Sequence, residues 1–287
     1  MKSNLPNDTS PFSFEEVVPE PEIKWRETLR VFCQNRMALL GLILVTVFVF
    51  VGLFGSFIFP ADPFEMVATP LSEPGAGVIF GSDYMGRDVF IGIIYGTRPT
   101  LVIATIATLV TVLIGITLGA VAGFYGGLID NILMRITEIF QVVPQFFLAV
   151  VLVALFGASV LNIIFAIALL TWPIIARLTR SEFLSLKTRQ YVDAAYLGGA
   201  SNTRLIFREI LPNAMGPIIV SATLLVGRAM LTEAGLSFLG LGDPSRISLG
   251  VMLYQSRPFV QFAWWAALFP GMMIFLAVLS TNLIGDG

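Results

Sequence analysis

The chain has 287 residues, of which 56% are hydrophobic and only 13% charged. Soluble domains run at about 45–50% apolar and about 25% charged, so this composition cannot cover the surface of a soluble fold of that size. A formal net charge of -2 argues against binding a polyanion by bulk charge. The absence of histidine excludes a Ser-His-Asp triad, an HExxH zinc site and an imidazole relay. The single Cys33 excludes an internal disulfide or a cysteine metal cage. None of the three lysines (Lys2, Lys24, Lys187) follows a glycine, so the chain has no Walker A loop, and any ATP must be bound by another chain.

Residues 1–22 are rich in Pro, Asp and Glu and lack helical periodicity, which predicts a disordered tail. The polar lead is too long and too acidic for a cleavable signal peptide. Over residues 23–36, Trp25, Leu29 and Phe32 recur at i, i+4, i+7 among Lys24, Arg26, Arg30 and Arg36. This pattern suits an interfacial amphipathic helix in the headgroup layer; the alternative is an inward extension of the first span.

Five charge-free stretches follow. Residues 37–60 would form a helix about 36 Å long, enough for a hydrocarbon core of about 30 Å. Residues 61–98 read as a loop, and Pro99–Leu128 as the second span. Ile139–Ala176 is too long for one crossing and divides at Gly157-Ala158-Ser159. The helix before that division is expected to begin near Asn131. Ile210–Gly227 and Pro258–Gly285 complete six spans, so the fold class is an all-α integral membrane protein with six transmembrane helices. With the N-terminus inside, twelve of the 17 basic residues fall on the cytoplasmic side and four outside, which puts both termini in the cytoplasm. Arg228 lies about 27 Å along from Ile210, near the outer interface. There it can snorkel or pair with Glu233.

Gly115, Gly119 and Gly123 form a ridge that lets another helix approach closely, as static packing or as a sliding seam. Gln141 and Gln145 flank Pro144. They line a polar path or satisfy backbone opened by the proline. The segment 177–209 predicts two short helices, one ending near Tyr196-Leu197 and one starting near Asn202. Gly198-Gly199 would break them, Ser201 or Asn202 would cap the second, and Pro212 would enter the first turn of the next span. Tyr196 and Phe207 cannot both be buried in so small a unit, which points to docking on a partner.

Asp193-Ala194-Ala195, Gly199 and Leu211-Pro212 resemble the "EAA" loop of ABC importer permeases, with Asp193 in place of the usual Glu. Phe80 to Val89 with Tyr95-Gly96-Thr97-Arg98, then Arg135, Glu138 and Pro144, resemble further segments of the second permease of dipeptide/oligopeptide importers. So do Glu233 to Gly242, Phe269-Pro270-Gly271 and Asn282 to Gly287. The motifs come in family order over residues 24–287. Two departures are Ile91-Gly92 where a Ser-Arg pair is common, and an end at Gly287 where relatives usually continue with a short polar tail.

The resemblance implies a type I ABC importer (MetI-like) permease fold, with a five-helix core over residues 99–285. It implies a coupling loop, 177–209, that seats on an ATPase through Asp193, Ala194, Ala195, Tyr196, Gly199, Phe207, Leu211 and Pro212. Implied partners are a homologous permease forming a heterodimer, two ABC ATPases that bind ATP and Mg, an extracytoplasmic substrate-binding protein and membrane lipid, with no nucleic acid. No cofactor or catalytic residue is expected in this chain. Cargo would be dipeptides or oligopeptides; nickel, glutathione or short oligosaccharides are alternatives within the family. A proton-coupled transporter or a membrane enzyme fits less well, because the spans carry almost no acid, base or metal ligand. The outer segment with Asp83, Gly86, Arg87, Asp88 and Arg98 is either a short helix, capped by Ser82 or Asp83, that contacts the binding protein, or a loop held by local salt bridges. The local reading is preferred, because paired loop charges usually hold local geometry.

Overall fold

The computed structural model describes residues 34–75 and 77–285. The tail expected over 1–22 and most of the interfacial helix expected over 23–36 lie outside the described residues. The architecture is helical: α1 (Arg36–Ile58), α2 (Val89–Tyr125), α3 (Gly127–Val142), α4 (Gln145–Phe156), α5 (Val160–Leu186), α6 (Gln190–Leu197), α7 (Asn202–Leu241), α8 (Leu249–Ser256) and α9 (Trp265–Gly285). Among the described residues, β-structure is limited to two isolated bridges, Met66 with Arg87 and Ser82 with Asp88.

Five of these helices, α1, α2, α5, α7 and α9, are long and apolar enough to cross a membrane. The bent pair α3–α4 makes a sixth span. The spans alternate in direction. One end of the bundle, here the basal end, carries Asn35, Gly126 and residues 187–201. The distal end carries residues 59–88 and α8.

α1 starts at a true cap: the Asn35 side chain accepts from the backbone N–H of Met37 and Ala38. Its apolar residues surround the whole circumference, with Ile43, Phe50, Phe54 and Phe57 exposed, as a lipid-facing span requires. The middle of the bundle is the α2–α5 seam. A Cβ on Gly115 would lie 2.5 Å from that of Ile175, one on Gly123 would lie 2.6 Å from that of Phe183, and one on Gly119 would run into the Ala176 carbonyl. The glycine ridge is thus packing within this chain. A main core around Ile103, Ala107, Ile163, Ile167 and Leu170 reaches α7 and α9 through Leu236 and Trp265. A second, basal core joins Phe183, Val192, Leu205, Ile210 and Ile218.

Four expectations are corrected. The second span starts not at Pro99 but at Val89, capped by Asp88 Oδ1, which accepts from Phe90 N at 2.8 Å. Arg98 misled the sequence reading because it is exposed on a helix whose other face buries Ile93, Thr97 and Thr100. The loop is therefore 59–88 and holds no helix over 81–88. The third span begins at Gly127 rather than Asn131, after the positive-φ Gly126, and bends by 83° at Val143-Pro144. A proline there offers no N–H to continue the ladder, so the helix restarts in a new direction.

The remaining two concern the basal segment. α5 continues to Leu186, so 177–186 belong to the span and not to a loop. The helix that starts at Asn202 does not stop before Pro212 but runs on as α7. A π-helical stretch over Leu205–Ile210, with Leu211 N bonded to Ile206 O, precedes the proline. The wider turn spreads the ladder where Pro212 supplies no donor.

Candidate functional site

The basal end is built on three polar fastenings that the sequence reading did not identify. Arg180 on α5 grips Asp130 on α3 with two hydrogen bonds, one of them from Nη2 to Oδ2 at 2.6 Å. Lys187 Nζ donates to the carbonyls of Gly123 and Phe124 at 3.2 and 3.4 Å, closing the end of α2 where helical donors run out. Arg177 donates to Gln141 Oε1 at 2.7 Å. Only the packing of α3 and of the end of α2 on α5 brings these partners together. Their sequence separations of 36 to 64 carry no local signal.

On that platform α6 and the start of α7 form a hairpin. Val192 is its anchor, packed into the basal core with Phe183 and Leu205. α6 ends in a Schellman motif: Ala200 N donates to Ala195 O at 3.1 Å and Gly199 N to Tyr196 O at 2.9 Å. Gly199 has φ +82°, a value that favours glycine. Ser201 Oγ then accepts from Arg204 N and caps α7. Glu209 reaches back to Arg204 at 3.8 Å.

The result is an exposed apolar rim. Tyr196 is 64% exposed, Leu197 85% and Phe207 62%. Asp193, Ala194 and Pro212 are exposed beside them, whereas Ala195 and Leu211 are half-buried. A shallow cavity of about 390 Å³ opens between the hairpin and the ends of α2 and α5, lined in part by Phe124, Lys187, Asp193 and Tyr196. Leu197 was missed in the sequence. Its place directly after Tyr196, at the end of a helix whose buried face is carried by Val192, was the available signal.

The distal end is closed on itself. Asp83 Oδ1 accepts from Met85 N and Arg87 N, and Gly86, at φ +82°, turns the chain back beneath Ala68. Ser82 Oγ donates to Thr69 O and accepts from Ser72 N, while Trp265 Nε1 donates to Ser82 O at 3.1 Å. Arg87 contacts the Met85 sulfur and lies over the Phe64 ring. Among the described residues no ion pair joins Asp83, Arg87, Asp88 and Arg98. The segment is held by carboxylates on backbone N–H groups, not by the salt bridges expected, because each carboxylate finds orphan amides nearer than any guanidinium.

Glu233 is fully buried on α7. It accepts from Ser237 and Ser248 at 2.8 Å and from Thr100 at 3.3 Å, tying α2, α7 and α8. It does not pair with Arg228. Asp243, in the loop after α7, accepts from Ser245 and from Val160 N at the start of α5. The Ser245 hydroxyl, chiefly, holds the Asp243 carboxyl below the ordinary carboxylate range, against the opposing effect of burial. Gln145 Nε2 donates to Leu170 O at 3.0 Å, a carbonyl three residues before Pro173 on α5 and not one opened by Pro144, and Gln145 lines a cavity with Arg228. Gln141, bound to Arg177, serves the basal fastening.

Residues 115–287 match the family described as "Binding-protein-dependent transport system inner membrane component". The chain belongs to this family. Residues 24–73 also match the "N-terminal TM domain of oligopeptide transport permease C". The dipeptide transport system permease protein DppC of Alkalihalophilus pseudofirmus is 42% identical, covering 92% of this chain and 87% of the relative. DppC of Haemophilus influenzae is 38% identical and covers 93% of both. A chain in the inward-facing crystal structure of the MetNI methionine ABC transporter superposes with a TM-score of 0.54 at 20% identity, covering 68% of this chain and 93% of that one, and shares the fold. The protein is thus a multi-pass ABC importer permease: a transport subunit and not an enzyme, with a membrane context and an ATPase partner that follow from the family.

Proposed function

We propose that this permease carries dipeptides or oligopeptides inward across the membrane, forming the path with a homologous permease by alternating access. The observation that carries the cargo reading is the set of relatives 34–42% identical over more than nine-tenths of the chain, named as dipeptide, di/tripeptide and oligopeptide permeases. An extracytoplasmic binding protein delivers cargo to the distal end, both termini are cytoplasmic, and two ATPase chains bind ATP and Mg at the basal end.

The hairpin supports this orientation. Its exposed Tyr196, Leu197 and Phe207 leave apolar area that a partner's groove would cover. Through Val192, closure of that partner pulls on Phe183 of α5 and Leu205 of α7 at once. Asp193, Ala194, Ala195, Gly199, Leu211 and Pro212 then shape the contact, whereas the outer residues Asp83, Gly86 and Asp88 hold the distal segment's own geometry.

The test is uptake by the complete complex in proteoliposomes. ATP-dependent accumulation of labelled dipeptide is the expected result. A complex that imports nickel or a short oligosaccharide and no peptide would overturn the cargo. Glutathione is the second reading, favoured by a glutathione permease 36% identical over 92% of this chain. Competition between dipeptide and glutathione separates the two.

A further inference from the structure

Arg228 is an exposed residue of α7 that lies well short of the end of that helix. α7 continues for 13 residues beyond it, about 20 Å at 1.5 Å per residue, and buries Glu233 and Ser237 on the way. A guanidinium inside a membrane span is costly and normally pairs with an acid or marks a ligand path. Among the described residues Arg228 has no ion-pair or hydrogen-bond partner for its side chain. Glu233, the nearest acid on its helix, is occupied by Ser237, Ser248 and Thr100.

Arg228 lines a cavity of about 230 Å³ where α2, α4, α5 and α7 converge, together with Thr108, Gln145, Phe146, Thr171 and Thr232. No acidic residue lines it. Two of the polar groups are spent internally: Thr171 bonds Thr111 and Ile167 O, and Thr232 donates to Arg228 O. Gln145 donates to Leu170 O and keeps its amide oxygen. Thr108 is only 5% exposed, and its hydroxyl has no partner. A buried orphan hydroxyl is uncommon and calls for a ligand or water. The cavity thus offers a cation, a free hydroxyl and an amide acceptor, and lacks a counter-charge.

The missing piece is an anion with a flat, two-oxygen face, which a guanidinium fork binds bidentately. The volume lies below the range of about 300–1,000 Å³ usual for whole-ligand pockets, so it fits a chain end and not an entire oligopeptide. We propose that this cavity is a transit subsite in which Arg228 and Thr108 receive the C-terminal carboxylate of the peptide cargo, with Gln145 Oε1 accepting from its last amide. The inference rests on the peptide reading above. Every peptide carries that carboxylate whatever its side chains, so such a site passes many sequences.

The test uses the complete complex in proteoliposomes, with alanyl-phenylalanine and its C-terminal amide each supplied at saturating occupancy of the binding protein. Loss of a charge-assisted pair predicts that Arg228→Gln lowers free-acid uptake about tenfold or more, while the amide changes little. Arg228→Lys should keep part of the preference, and Thr108→Val should weaken it in the same direction. Equal losses for both peptides, as expected if Arg228 instead pairs with the homologous permease, would overturn the proposal, as would no change for either. If Arg228→Gln fails to assemble, the lysine and valine variants carry the same ratio. A labelling arm is independent of cargo. With Cys33 replaced by Ala, Thr108→Cys should react faster with an anionic methanethiosulfonate than with a cationic one, and Arg228→Gln should remove that advantage. A wild-type complex that imports no peptide ends the cargo reading. Absence of the anionic advantage ends the subsite, whatever the complex imports.

Discussion

The two ends of the bundle solve opposite problems. The distal loop over residues 59–88 is long and polar, yet it consumes its own hydrogen-bonding capacity: Asp83, Ser82 and Asp88 bind backbone groups, and Trp265 closes over Ser82. The basal hairpin is short, anchored mainly by Val192, and leaves Tyr196, Leu197 and Phe207 in the open. Satisfied polar groups need nothing further, whereas a cluster of large exposed apolar side chains does. Both ends leave apolar surface open, the distal one at Met66, Ile79 and Phe262, so what differs is how each end is fastened.

The comparison can be broken by mutation. Tyr196→Ala combined with Leu197→Asp should weaken ATPase association by about 2–4 kcal/mol, the usual scale of interface hot spots, without lowering the amount of permease in the membrane. Quantitative co-purification reads this, and a parallel fall in permease abundance would make the rim structural. Gly119→Leu lies between the ends, on the α2–α5 seam, where added atoms meet the Ala176 backbone. Overpacking there should cost about 3 kcal/mol and disable both ends together, seen as a lower melting temperature in detergent and loss of co-purification. Asp88→Ala removes the α2 cap. It should cost about 1 kcal/mol and leave ATPase association intact, which would confine the distal loop to a structural role at that residue.

The smallest effect concerns pH. The Asp243 carboxyl is held below its ordinary value, so its contribution is complete above the ordinary carboxylate pKa of about 3.9 and is lost as pH falls through its own lower value. Wild type and Asp243→Asn should therefore differ by a constant margin in melting temperature from neutral to mildly acidic pH. Below about pH 4 that margin should close. A margin that persists there would show that the loop is held by something other than the ionised carboxylate.

Periodicity, charge-free length and glycine punctuation were enough to place α1, the division at Gly157 and the break at Gly198-Gly199, and to narrow the cap to Ser201 or Asn202, of which the structure uses Ser201. Each of these is decided by neighbours within a few residues. The same rule explains the errors. Charge-free counting lost the first turns of α2 to Arg98, because one exposed charge on an otherwise buried face does not end a helix. It also cut 177–186 from α5, where Arg177, Arg180 and Glu182 interrupt the apolar run but Arg180 is spent on Asp130. Salt bridges expected among nearby loop charges gave way to backbone amides that are nearer still.

By itself, then, the sequence determined a six-span helical membrane protein, its family motifs in order, and a hairpin with aromatics that cannot all be buried. Composition, spacing and turn chemistry are local or additive quantities, and one chain suffices to read them. The tertiary structure alone decided that Arg180 meets Asp130, that Lys187 closes α2, that Glu233 belongs to serines and threonines, and that Arg228 faces a cavity without a counter-ion. Polar groups inside a membrane bundle choose partners by which helix faces meet at a given depth. That depends on the α2–α5 glycine seam and the bend at Pro144, not on distance along the chain.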